Sequence, residues 1–83
     1  MQVSEVYDKL TEIFRSVFAD DDLVVTPDTI APDIQGWDSL AHVRLMLTVE
    51  RAFHIKFSAY EVNRLKNVGE LAKLIESKLQ AKS

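Results

Sequence analysis

The sequence predicts an all-α fold, a four-helix bundle of three larger helices and one short one with a long ordered first loop. Apolar residues recur at steps of three and four in three separate stretches, the spacing of one helix face. Helix-start residues stand at the head of the helical stretches. The one strand-like run, Leu23-Val24-Val25-Thr26, has no partner run and is ended at once by Pro27.

The first helix is expected over Ser4–Phe18. Val6, Leu10, Ile13, Phe14 and Val17 form its core face, and Glu5, Asp8, Lys9, Glu12 and Arg15 the wet one. Ser4 is the candidate cap, with Tyr7 rather than Glu completing the box. Ala19–Asp38 follows as a loop that is long for a compact domain and carries both prolines. Leu23, Val24, Val25, Ile30 and Ile34 give it apolar anchors, so it should wrap the core, with a single helical turn near Asp28–Ile30.

The second helix runs Ser39–Phe53 with Asp38 as N-cap. The short helix covers Ala59–Leu65, opened by the capping box Ser58-x-x-Glu61. The last runs Val68–Leu79, with Asn67 as cap, Glu70 three residues on, and Val68, Leu71, Leu74, Ile75 and Leu79 facing inward.

The 83 residues suffice for one small domain, spanning 1–83. Cysteine is absent, which removes disulfides, thiolate metal sites and a cysteine nucleophile. A net charge of −3 argues against a nucleic-acid binder, which needs clustered Lys and Arg. No apolar run reaches membrane-spanning length, and Met1-Gln2-Val3-Ser4-Glu5 lacks the basic start and apolar stretch of a leader. A cytoplasmic setting is the expectation. Asp20-Asp21-Asp22 lacks the Gly and distal Glu of a calcium loop and reads as a solvated turn, and no metal site is expected. Lys66, Lys73, Lys78 and Lys82 read as solvent-facing charge.

The second helix carries two apolar stripes. Leu45, Val49 and Phe53, with Met46 and Ala52, make one; Leu40, Val43 and Leu47 make another roughly opposite, bordered by Arg44, Glu50 and Arg51. An apolar strip rimmed by charge is the pattern of a partner-binding or ligand-covering surface. The alternative is that the short helix packs there and covers it.

Gly36-Trp37-Asp38-Ser39-Leu40 closes the loop and opens this helix. Read plainly, it is a helix start with Asp as cap, Ser at the first helical position and Gly36 for the turn. A hydroxyl there lies near unpaired backbone N–H groups and the positive end of the helix dipole, a favourable place for a phosphate. Trp37 either covers the loop or offers a contact.

On these residues, the chain resembles the phosphopantetheine-binding acyl carrier proteins. The resemblance covers nearly the whole chain: an amphipathic first helix, a long loop, Gly36-x-Asp38-Ser39-Leu40, then Val43, Leu45, Leu47, Val49-Glu50, Phe53, Phe57, Val62, Leu65, Val68 and Leu71 in register. The triplet alone is a weak motif; with four helices in register it is a strong one. The resemblance implies that Ser39 carries a covalent 4′-phosphopantetheine installed by a phosphopantetheinyl transferase. The arm's thiol would hold an acyl group for loading and transfer enzymes of fatty-acid, polyketide or related biosynthesis. The domain would have no catalysis of its own and act as a monomeric shuttle. Asp38 and Leu40 flank the attachment point, and Trp37, Val43, Arg44, Leu47, Glu50 and Arg51 fall where partners touch. A short acyl chain could tuck between the central helix and its neighbours.

Several residues depart from the fatty-acid-synthesis type. Arg44 and Arg51 replace acidic residues on the exposed side of the second helix, Trp37 and His42 differ from the commonest type, and Ser58 stands where Pro often opens the third helix. A specialised stand-alone carrier follows. A peptidyl or aminoacyl carrier of the same fold is the nearest alternative. An interaction domain with unmodified Ser39 is another. A hydrolase using Ser39 and His42, three apart on one helix, lacks a visible orienting residue or oxyanion site.

Overall fold

The computed structural model describes residues 3–82, excluding the side chain of Lys82. The reading of the opening segment therefore rests in part on Met1 and Gln2, which lie outside the described residues. Four α-helices are present: α1 (Val3–Phe18), α2 (Ser39–Phe53), α3 (Ala59–Asn63) and α4 (Val68–Lys82). A 3₁₀ turn, Ala31–Asp33, lies in the α1–α2 loop. Among the described residues there is no strand. No described helix is long and apolar enough to cross a membrane.

α1 packs against both α2 and α4. The predicted stripes supply the core, with Val6, Leu10, Phe14, Leu45, Val49, Val68, Leu71 and Ile75 fully enclosed. Two inward positions differ from expectation: Leu74 is only half-buried, and Ala72 takes a core place beside Leu71. Val17 and Leu79 pack against the core from its margin.

The first loop is ordered by specific bonds. α1 ends on Ala19 in the left-handed region (φ 52°), which lets the Asp20 amide reach the Arg15 carbonyl at 3.0 Å. Arg15 Nε then donates to the Leu23 carbonyl at 2.7 Å. Val25 and Ile34 are buried, whereas Val24 is exposed, because successive side chains of an extended run point opposite ways. A turn forms over Thr26–Thr29, with the Thr29 amide on the Thr26 carbonyl and the Thr26 amide on Thr29 Oγ1. The helical turn expected near Asp28–Ile30 lies a few residues later, over Ala31–Asp33. Pro32 suits its first turn, and the Asp33 carboxylate accepts the Ile30 amide at 3.1 Å.

The helix starts follow their capping residues. Ser58 and Glu61 exchange bonds of 2.8 and 3.1 Å. At α4, Asn67 Oδ1 accepts the Glu70 amide at 2.8 Å, and the Glu70 carboxylate accepts the Lys66 amide. Ser4 does not cap α1, which already includes Val3. α3 stops at Asn63, short of Leu65, and α4 runs past Leu79. Lys78 is not simple solvated charge: its ammonium meets Glu61 at 2.9 Å and ties α4 to α3. Tyr7 is half-buried, and burial first, then the Glu76 and Asp28 carboxylates, pushes its hydroxyl pKa up.

Candidate functional site

The loop enters α2 through three local devices. Gly36 takes φ +91°, a conformation that disfavours any side chain. Asp38 is extended, and its Oδ1 accepts the Ala41 amide at 2.8 Å. The Asp38 carbonyl accepts the His42 amide at 2.9 Å, the first bond of the helical ladder. Ser39 is therefore the first residue of α2. Its side chain is exposed and makes no hydrogen bond within the described residues. The hydroxyl is free for chemistry because Asp38, not Ser39, supplies the cap.

Ser39 opens onto a groove of about 500 Å³ between α2, α3 and the start of α4. Its walls include Trp37, His42, Met46, Val62 and Leu71, which make it largely apolar, with Asp38 and Lys66 as its charged members. An exposed hydroxyl beside an apolar groove at a helix N-terminus fits a phosphodiester-linked arm. The phosphate is favoured by the helix dipole, and the groove can shelter apolar matter attached to the arm.

Trp37 is half-buried. Its ring packs edge-on against Phe14 (5.3 Å between centroids) and tilted against Phe18 (5.9 Å). Its indole Nε1 donates to His42 Nδ1 at 3.0 Å. It thus covers the core end of the loop and lines the groove. His42 Nε2 lies 3.3 Å from the Val62 carbonyl, so both ring nitrogens are engaged. Helical spacing showed that His42 could approach Ser39. It did not show these two bonds, whose partners lie in the loop and in α3.

Leu40, Val43 and Leu47 are 72%, 53% and 47% exposed, so α3 does not cover this stripe. Arg44 and Arg51 are exposed alongside. Glu50 is half-buried, and its carboxylate accepts the Phe57 amide at 2.7 Å, so its charge is used to hold the α2–α3 connection. The acidic run at Asp20–Asp22 forms a local turn in which Asp20 Oδ1 accepts the Asp22 amide at 3.0 Å.

Residues 8–75 match the family model described as "Phosphopantetheine attachment site". The chain is also similar to the solution NMR structure of a holo acyl carrier protein from Geobacter metallireducens. The two are 49% identical with a TM-score of 0.87, over 93% of this chain and 88% of that one. Ser39, the groove and the exposed stripe of α2 all fall within the matched residues.

Proposed function

The chain belongs to the phosphopantetheine attachment-site family and has the acyl carrier fold, and on that footing we propose that Ser39 is its attachment residue. The observation that carries this assignment is an exposed hydroxyl, without a hydrogen-bond partner among the described residues, at the first position of α2 and directly after a capping aspartate. The covalent 4′-phosphopantetheine supplies a thiol on a flexible arm, to which an acyl group is held as a thioester. This is how a chain without cysteine works with thiol chemistry.

The protein's own residues position and shelter. Asp38 fixes the helix start and so the direction in which Ser39 points. Leu40, Val43 and Leu47 form an apolar strip that a phosphopantetheinyl transferase and acyl-loading or acyl-transfer enzymes would cover, with Arg44 and Arg51 at its rim. The two arginines favour partners with acidic docking faces, which fits a specialised carrier. Residues 1–83 act as one carrier domain, monomeric so as to meet several enzymes in turn, in the cytoplasm. The domain has no catalysis of its own. His42 has no ring nitrogen left to take a proton from Ser39, which speaks against a serine hydrolase.

The test is incubation with coenzyme A, magnesium and a promiscuous phosphopantetheinyl transferase, read by intact mass. A gain of one phosphopantetheine that Ser39→Ala does not acquire is expected. No gain in a folded, initially unmodified chain would favour a helical interaction domain instead.

A further inference from the structure

We infer that His42 is a proton-controlled latch: as the Nε2–H tautomer it holds one wall of the groove, and a second proton, on Nδ1, releases that wall. An indole nitrogen can only donate. The Trp37 Nε1 contact at 3.0 Å therefore makes His42 Nδ1 an acceptor. The ring proton is then on Nε2, where it faces the Val62 carbonyl at 3.3 Å. One neutral tautomer satisfies both partners. The other would set two donors face to face at Nδ1 and two lone pairs face to face at Nε2.

Protonation removes the Nδ1 lone pair and places an N–H against the indole N–H. The two rings are near-parallel (21°) with centroids 6.0 Å apart and nitrogens in contact, so they meet at their edges. The cation thus gains none of the attraction of an aromatic face. Trp37 is held by Phe14 and Phe18, so the imidazole is the partner that yields. Swinging away, it takes Nε2 from Val62.

That bond is the hydrogen bond linking α2 to α3 among the described residues. α3 has five residues and none fully buried, and its remaining polar tie is Glu61 to Lys78 of α4. It is the shortest of the α-helices, and its Val62 and Asn63 line the groove together with Trp37. The charged groups lining the groove with His42 are Asp38, which favours the cation, and Lys66, which opposes it. Glu61 of α3 and Arg64, the residue after that helix, line an adjoining hollow with Glu70 and Lys73. α1 reaches this region with Phe14 and Phe18, and α4 with Leu71, none of them titratable. Acidification thus loosens the wall beside Ser39. That this wall borders the arm rests on the attachment proposed above; the latch itself does not.

The test uses the full-length protein and its Ser39→Ala variant, which cannot carry an arm, both labelled with ¹⁵N. Long-range proton–nitrogen correlations read the His42 tautomer, and the single Trp37 indole and the Val62–Leu65 amides report the latch. At about pH 8 the Nε2–H tautomer is expected. On titration to about pH 5 the indole signal and the α3 amides should move with the same midpoint as His42. His42→Gln, whose amide accepts and donates without titrating, should lose this response, and His54→Gln should keep it. An Nδ1–H tautomer at pH 8, or indole and α3 signals that stay put across the titration, would overturn the latch. Because Ser39→Ala gives the same readout, a failed modification at Ser39 and a failed latch are told apart.

Discussion

The Pro27 carbonyl accepts the Gly69 amide at 2.9 Å, and a Cβ at position 69 would stand 2.8 Å from that same oxygen. The neighbouring Thr29 carbonyl accepts the Val68 amide at 2.9 Å. The first loop thus satisfies two amides that the first turn of α4 leaves open. Gly69 is there for room, since nothing larger allows this approach. Gly69→Ala should cost about 1–3 kcal/mol, in the range of other overpacked contacts. Urea unfolding of the two proteins checks it. Equal midpoints would mean that the loop moves aside freely.

This clip was not legible in the sequence, because Pro27 and Gly69 are distant along the chain and neither signals the other. Local signals fared differently. Asp38 before Ser39, and Ser58 with Glu61, mark helix starts through bonds spanning three residues, and the structure forms them. The exposed face of α2 was visible as a second stripe. Periodicity could not say whether α3 would cover it, since that depends on where the α2–α3 connection turns. His54 sets that turn in the left-handed region (φ 56°), and Glu50 pins the Phe57 amide beyond it. The partners of His42 were hidden for the same reason as the clip: both lie outside its own helix.

Asp38 and Ser39 are adjacent yet should separate cleanly by mutation. Asp38→Ala removes the cap of α2 and should cost about 1 kcal/mol. Ser39→Ala removes a hydroxyl with no partner among the described residues and should change stability by less than about 0.5 kcal/mol. Thermal unfolding of both variants measures the difference. A large loss in Ser39→Ala would give that hydroxyl a structural role.

The Glu61 carboxyl is held below the usual carboxylate range, first by its bond to Lys78, then by the Ser58 amide. A depressed folded-state value means stabilisation that is complete above the unfolded pKa and lost as pH falls through the folded one. Glu61→Gln keeps an acceptor for Ser58 but gives up the ion pair. Wild type should therefore be the more stable at pH 7, and the gap between the two should close as falling pH protonates the carboxyl. Paired urea midpoints across that range measure it. A gap independent of pH would place the effect in packing.

Leu47 is about half exposed in the middle of the α2 stripe. Leu47→Glu should change stability by less than about 0.5 kcal/mol, as surface substitutions do. It should slow acyl loading by the cognate enzyme on the order of tenfold or more, since central apolar contacts carry most interface energy. Comparing loading rates with unfolding midpoints separates the two. A stability loss matching the functional one would make the stripe part of the core.

Arg44 and Arg51 give the rim of that stripe a positive character that the fold does not need. Neither has an ion-pair partner among the described residues, while Glu50 between them is bonded to the Phe57 amide. Their charge is therefore available to steer encounters. Arg44→Glu together with Arg51→Glu should leave folding unchanged and raise the rate with enzymes that present basic docking faces. The gain should be on the order of tenfold at low salt and shrink as ionic strength rises. The same change should slow the cognate enzyme if its face is acidic. The measurement is the loading rate with each enzyme across a salt series. Rates that do not respond to the reversal, or respond equally at all ionic strengths, would remove charge from the account of partner choice and leave it to the apolar strip.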